Sequence, residues 1–405
     1  MTVDARRDEL TGVWAELIGQ HRAVKVLRRA VASSRQQAEA GRHAMTHAWL
    51  VTGPPGSGRS NAARAFAAAL QCERGGCGEC NGCRTVLSGA HPDVTLVRTE
   101  KLSIGVDEVR ELVRKAAMSP TLGRHQVLVV EDADRVTERG ADALLKSIEE
   151  PAARTVWILC APTMDDVVVT IRSRCRHLHL VTPSDDAVAQ LLQRRDGIDA
   201  PLAAHAARAA QGHIGRARVL ARDEQARIRR DEVLRIPARL TSIGACLVAA
   251  DNVVKAAADE AAAATQLLDT RERADLDQAL GFGTKGARPR NTQAVLKELE
   301  DQQKARAKRL QRDALDRVLT ELTAYYRDVL GVQTGALVDP MGQEPGVGMI
   351  NADLREQVAT LARSSTPEQT LQRIDAIMQC RVDLEGNVAP LLAVEALMVA
   401  LAQRH

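Results

Sequence analysis

The sequence predicts a doubly wound, parallel α/β module with a phosphate-binding loop and a metal-binding insert, followed by two all-helical parts. Three observations carry this. Strand-like and helix-like runs alternate through the first 180 residues. A glycine-rich loop follows the first strand, and Cys72, Cys77, Cys80 and Cys83 form a tight cluster. After residue 184 no strand-like run remains.

The apolar, β-rich runs lie at 47–52, 93–98, 126–131, 156–161 and 177–181. Helical patterns lie between them at 19–34, 60–71, 105–118 and 138–149. Pro183-Ser184 then starts a new helix, with Ser184 as N-cap and Asp185 and Asp186 in the first turn. The expected divisions are 1–183 for the α/β module with its metal insert at 72–83, 184–226 for a short helical unit, and 227–405 for a larger helical domain with an insertion near 270–310. Gly281–Pro289 reads as a flexible excursion. A long helix resumes over 291–330, with apolar positions at Val295, Leu299, Leu310, Leu315, Leu319 and Leu322. Its basic face reads as solvated, with a DNA-binding surface as the alternative.

Composition narrows the function. The net charge of +3 over 405 residues argues neither for nor against nucleic acid. Aromatic residues make up 2%, too few for base stacking to be the main activity. No run approaches the roughly 18 apolar residues of a membrane helix. Met1–Trp14 is charged, without the apolar core of a signal peptide, so a cytoplasmic protein without membrane contact is expected.

The loop reads Gly53-Pro54-Pro55-Gly56-Ser57-Gly58-Arg59-Ser60 after Ala48–Thr52. It matches G-x-x-x-x-G-K-[ST] at every fixed position except the lysine, which is Arg59. Backbone N–H groups and a helix N-terminus still suit phosphate. The lysine is the point charge that reaches the β- and γ-phosphates, and a forked guanidinium is no simple replacement. The strand Val127–Val130 ends in Glu131 and Asp132, where such a sheet normally holds Mg²⁺. The usual order is Asp then Glu, so each acid differs by one methylene. Solvated acids at a strand end are the alternative.

The cysteine spacing is C-x4-C-x2-C-x2-C, with Gly75, Gly76, Gly78 and Gly82 allowing tight turns. Four thiolates this close suit a tetrahedral Zn²⁺, with an iron–sulfur cluster or free thiols as alternatives. A zinc held by four protein thiolates has no open position, so its expected role is structural. Cys160, Cys246 and Cys380 stand alone and are expected to be buried. Arg172, Arg174 and Arg176 enter the strand at 177–181, and residues alone leave open whether they are merely solvated.

Residues 12 to about 220 resemble the clamp-loader branch of the AAA+ ATPases. The resemblance is carried by Glu16–Gln20, His47–Leu50 with the loop, the four-cysteine insert with Asn81-Gly82-Cys83, and His91-Pro92-Asp93. Gly105–Arg110, Ala143–Pro151 and Ser173-Arg174-Cys175 complete it. The resemblance implies an AAA+ module with a zinc insert, a helical lid and a helical collar that joins neighbouring subunits. Two bacterial branches are similar: the ATP-hydrolysing gamma/tau type and the delta-prime type. Arg59, the inverted acids, Gly215 in Gly212-His213-Ile214-Gly215, and Ala161-Pro162 in place of two threonines depart from gamma/tau, and the inverted acids and Gly215 resemble delta-prime. Gly53, Gly56, Gly58, Arg59, Ser60, Glu131 and Asp132 would then form a degenerate nucleotide site, with ATP and Mg²⁺ doubtful there. Ser-Arg-Cys is kept, and in the family it supplies an arginine finger in trans. By that resemblance Arg174 would serve a gamma/tau neighbour. The implied partners are gamma/tau and delta subunits in a hetero-oligomer, the sliding clamp, and primed DNA through the assembly. An active gamma/tau-type ATPase and a zinc-stapled DNA-binding protein are the competing readings.

Overall fold

Ala48–Thr52 (β1), Gln126–Val130 (β3) and Thr155–Ala161 (β4) are buried along their whole length, as apolar runs in the middle of a parallel sheet must be. The computed structural model describes residues 10–35, 44–99, 103–280, 292–337, 348–386 and 388–403. The excursion expected at Gly281–Pro289 lies outside them. The chain forms two compact units, Met1–Arg222 and Asp223–His405.

In the first unit, Val94–Val97 (β2) and Arg176–His179 (β5) complete a five-stranded sheet of order β2-β3-β4-β1-β5. Every pairing is parallel, and all five strands fall where the alternation of apolar runs predicts them. The period-2 alternation of side chains separates two cores. Trp49, Val51, Val127, Val129, Ile158 and Cys160 pack with His21–Arg35 (α1) and Arg59–Gln71 (α2). Leu50, Leu128, Val130, Trp157 and Leu159 face the other way. They pack with Val106–Ala116 (α4) and Glu138–Glu149 (α5). A short helix not expected from the sequence, Asn81–Leu87 (α3), begins inside the cysteine cluster with Cys80 as its N-cap. One turn, Val169–Arg172 (α6), leads into β5.

Asp185–Asp196 (α7), Ala200–Ala210 (α8) and Ile214–Arg222 (α9) follow as a small helical group. Ser184 caps α7, its side chain accepting from Ala187 N–H at 3.3 Å, as the sequence signal predicts. Asp196 is nearly inaccessible and is neutralised by Arg218 at 3.0 Å and Arg222 at 2.7 Å.

The second unit has only helices among its described elements. It contains Glu224–Leu234 (α10), Ile236–Arg239 (α11), Ile243–Ala279 (α12) and Thr292–Gln333 (α13). Arg355–Ser364 (α14), Pro367–Glu385 (α15) and Pro390–Ala402 (α16) complete it. The long helix expected over 291–330 is α13, and it has a long antiparallel partner in α12. Ion pairs Arg306–Glu272, Arg273–Glu300 and Arg317–Glu260 join the two. Below them Arg230 pairs with Glu321 at 3.2 Å, both buried. Asp328 accepts from the backbone N–H of Ile350 and Asn351 at 3.0 and 2.8 Å.

Candidate functional site

The sheet order places the loop after β1 between the carboxyl ends of β4 and β5, with β3 one strand further, at the edge where open α/β sheets bind ligands. Gly53 N–H donates to Pro162 O at 3.1 Å, which ties the loop to the end of β4. Gln20 clamps it from the side. Its Nε2 donates to Ser57 O at 3.3 Å and to Val181 O at 2.6 Å, and its Oε1 accepts from Val181 N–H at 3.1 Å. Gly58 ends the loop in a left-handed conformation as the N-cap of α2, so Arg59 and Ser60 open that helix as the motif demands.

The protein's own side chains take up this site. Arg59 turns back and donates through Nη1 to Gly53 O, the first carbonyl of the loop. Burial pulls its guanidinium below the ordinary value, while the carboxylates of Asp134, Asp132 and Asp166 pull the other way. The Arg59 guanidinium, bonded to Gly53 O, therefore lies in the field of these carboxylates. Glu131, with only 6% of its side chain exposed, is engaged by Arg64 through Nη2 at 2.8 Å and Nε at 3.0 Å. Gly56 adopts φ +80°, and a Cβ there would fall 2.2 Å from Cγ of His213 and 2.4 Å from its Cα. Loop backbone and the start of α9 are thus in direct contact. His213 also accepts from Arg216 N–H at 3.2 Å through Nδ1, and Gly215 lies beneath its ring. At the end of β1, Thr52 Oγ1 lies 2.5 Å from His177 Nε2 and 3.3 Å from His179 Nδ1.

The sequence motifs did not single out Arg64, Gln20 or His213 as partners of the loop. Arg64 had a readable signal, being one of two basic residues in an alanine-rich helix, five residues after Arg59. Gln20 and His213 lie within motifs the sequence singled out, but their contact with the loop comes through tertiary packing and no local pattern encodes it.

The cysteine cluster has the geometry of a metal centre. The four Sγ atoms of Cys72, Cys77, Cys80 and Cys83 lie within 4.8 Å of one another. Cys72 Sγ is 3.6 Å from both Cys77 Sγ and Cys80 Sγ. Thiolates about 2.3 Å from a tetrahedral zinc stand roughly 3.8 Å apart, so the donor set fits. Backbone N–H groups of Cys77, Cys80 and Cys83 each donate at 3.4 Å to the sulfur of the preceding ligand. Burial opposes ionisation of Cys72, but the N–H groups of Cys77, Gly76 and Arg74 prevail and bring its thiol to about 6. The knot is built into the module. Val13 N–H donates to Gly76 O at 3.0 Å, and Trp14 Nε1 donates to Gly75 O at 3.3 Å. Gly12 is required there, since a Cβ would sit 2.2 Å from Gly76 O.

Arg174 lies on the turn between α6 and β5. It is exposed, and its Nη2 pairs with Glu149 Oε1 at 2.5 Å. Nη1 donates to Thr170 O at 2.8 Å and to Ser173 Oγ at 3.2 Å. Cys175, packed against the core beneath the turn, is pushed up to about 12 by burial and serves as a neutral packing group. The isolated cysteines Cys160, Cys246 and Cys380 are buried, as expected. Among the described residues no helix is long and apolar enough to cross a membrane.

Comparison with known proteins gives the site its context. The family model described as DNA polymerase III, delta subunit, matches residues 27–184. DNA polymerase III subunit delta' of Pseudomonas aeruginosa is 37% identical over 160 residues, which are 38% of this chain and 49% of that protein. DNA polymerase III subunit gamma/tau of Mycobacterium tuberculosis is 35% identical over 169 residues, 40% of this chain and 28% of that one. The chain thus spans about half the length, or less, of these curated relatives. A gamma subunit-related protein of Thermotoga maritima superposes over 94% of this chain and 98% of its own, with 14% identity and a TM-score of 0.40.

Proposed function

We propose that this chain, whose N-terminal module makes it a member of the clamp-loader family of DNA polymerase III subunits, acts as a subunit of the delta-prime type. In this reading it turns over no ATP of its own. It lends Arg174 to an ATP held by a gamma/tau-type neighbour while the assembly, with a delta subunit, places a sliding clamp on primed DNA in the cytoplasm. The observation that supports it best is the filled loop. Arg59 engages Gly53 O, Arg64 engages Glu131, and His213 abuts Gly56. Glu131, already matched by an arginine, is less available to Mg²⁺, and a loop carbonyl bonded to arginine cannot be reshaped without breaking that bond. Arg174, by contrast, is exposed and oriented. A guanidinium offered in trans to a transferring phosphoryl group is worth about 10³-fold or more in rate. The zinc site would have a structural role, with all positions taken by Cys72, Cys77, Cys80 and Cys83.

The test is reconstitution with gamma/tau-type and delta-type subunits. Arg174→Ala should assemble normally and lower DNA-stimulated ATP hydrolysis strongly, and unchanged turnover would remove the finger. The intact loop backbone and the 35% identity to gamma/tau subunits favour a second reading, an active ATPase. Tight Mg·ATP binding with turnover by the isolated chain would establish it.

A further inference from the structure

Arg174 is held by three acceptors from three places in the module. Thr170 O comes from α6, Ser173 Oγ from the turn itself, and Glu149 Oε1 from the end of α5, 25 residues earlier in the chain. The neighbouring Arg172 shows what an ordinary arginine does on this surface. It bonds Met164 O and Asp165 Oδ1, both within the segment that leads into its own short helix. Arg174 alone of the two reaches across to another element.

Glu149 is also placed against local preference. It is the last residue of α5, where the carbonyl end of the helix dipole disfavours a carboxylate. Arg174 supplies the compensating charge. Both side chains are about two-fifths exposed, so the pair contributes little to stability. What it does is restrict a long, flexible side chain to one direction. With Nη1 and one side of Nη2 engaged, Nε and the other Nη2 proton have no partner among the described residues. Two N–H donors are enough for a bidentate contact with a phosphoryl group.

We infer that Glu149 is a positioning residue for Arg174, fixing the guanidinium before an adjoining subunit presents a nucleoside triphosphate. This rests on the reading of Arg174 as a finger. Orientation set in advance lowers the barrier of the chemical step and leaves nucleotide binding almost unchanged, because the arginine meets its charge in the transition state.

The experiment uses the reconstituted complex with Glu149→Ala, Glu149→Gln, Arg174→Ala and the Glu149→Ala/Arg174→Ala double variant, and Glu150→Ala as the control for losing an acid at the same helix end. Steady-state ATP hydrolysis is measured against ATP concentration, with assembly checked by gel filtration. Glu149→Ala should lower kcat about tenfold with KM nearly constant. Glu149→Gln, which keeps a hydrogen bond at equal volume, should fall between it and the wild type. The double variant should be no slower than Arg174→Ala, and Glu150→Ala should match the wild type. If Arg174→Ala is slow while Glu149→Ala and Glu149→Gln are not, the positioning role is wrong and the finger stands. Additive losses in the double variant, or an equal loss in Glu150→Ala, would likewise overturn it. If Arg174→Ala turns over normally, the finger reading falls and this inference falls with it.

Discussion

The cysteine cluster and the phosphate loop are both short, glycine-bearing motifs in one module, and they stand in opposite conditions. In the cluster, four sulfurs converge at the spacing of a tetrahedral metal, with backbone N–H groups already turned toward them. In the loop, the backbone curve is retained, but Arg59 occupies the first carbonyl and His213 lies against Gly56. A motif's backbone and its readiness for a ligand are separate properties. The first is kept by packing, since α2 and β1 are core elements either way. The second depends on which charges remain uncommitted.

The largest effect should come from taking the metal away. Zinc should be present at about one per chain, and structural sites of this kind contribute on the order of 10 kcal/mol to folding of the segment that holds them. A strong chelator, or Cys83→Ala, should loosen residues 72–83 and with them the contacts of Val13 and Trp14. The readouts are metal content, thermal unfolding and tryptophan fluorescence. A folded, metal-free chain with unchanged fluorescence would erase the contrast between the two motifs.

Arg64→Ala tests the other side. It leaves the buried Glu131 carboxylate without its cation and should cost about 3 kcal/mol in chemical denaturation. It should not create Mg·ATP binding, because Arg59 still holds Gly53 O. Arg59→Lys alone should fail for the complementary reason, with Glu131 still tied to Arg64. Measurable nucleotide binding by either single variant in calorimetry would show the loop to be merely resting, not filled. Gly56→Ala should destabilise by about 2 kcal/mol, since it combines a positive φ with a collision at His213. An alanine accepted there without loss of Tm would mean that the loop and α9 yield easily.

Much of this was legible in the chain. All five strands follow from apolar runs bounded by turn residues, and the cysteine spacing leads directly to the four-thiol cluster. The loop was legible as backbone, through Gly53, Gly56, Gly58 and Ser60. Its partners were not. Arg64 meets Glu131 across 67 residues and Gln20 meets Val181 across 161, and no local period encodes such distances. The helix α12 was missed as a single element because its 37 residues are rich in alanine and carry only a thin apolar stripe, Cys246, Ala250, Val253, Ala257 and Ala261. Its partnership with α13 appears only when the ion pairs between them are seen.

A smaller effect sharpens the contrast by asking how a carboxylate is satisfied without an arginine. Asp93, buried at the start of β2, accepts from the backbone N–H groups of Thr121, Leu122 and Gly123 at 2.6, 2.8 and 2.5 Å. Burial pushes its acidity the wrong way, yet the N–H groups of Thr121, Gly123 and Leu122 prevail and hold its carboxyl below the usual range. A carboxyl whose folded value is depressed adds stability that is complete above the unfolded value, near 3.9, and is lost as pH falls through the folded value. Asp93→Asn should therefore cost about 1 kcal/mol at neutral pH, where one acceptor must become a donor facing N–H groups. The gap between wild type and variant should stay level down to about pH 4 and close below it. Comparing the two proteins at each pH cancels the acid sensitivity of the thiolates, which both share. A gap that persists undiminished at pH 2 would mean that shape rather than charge secures the 121–123 turn.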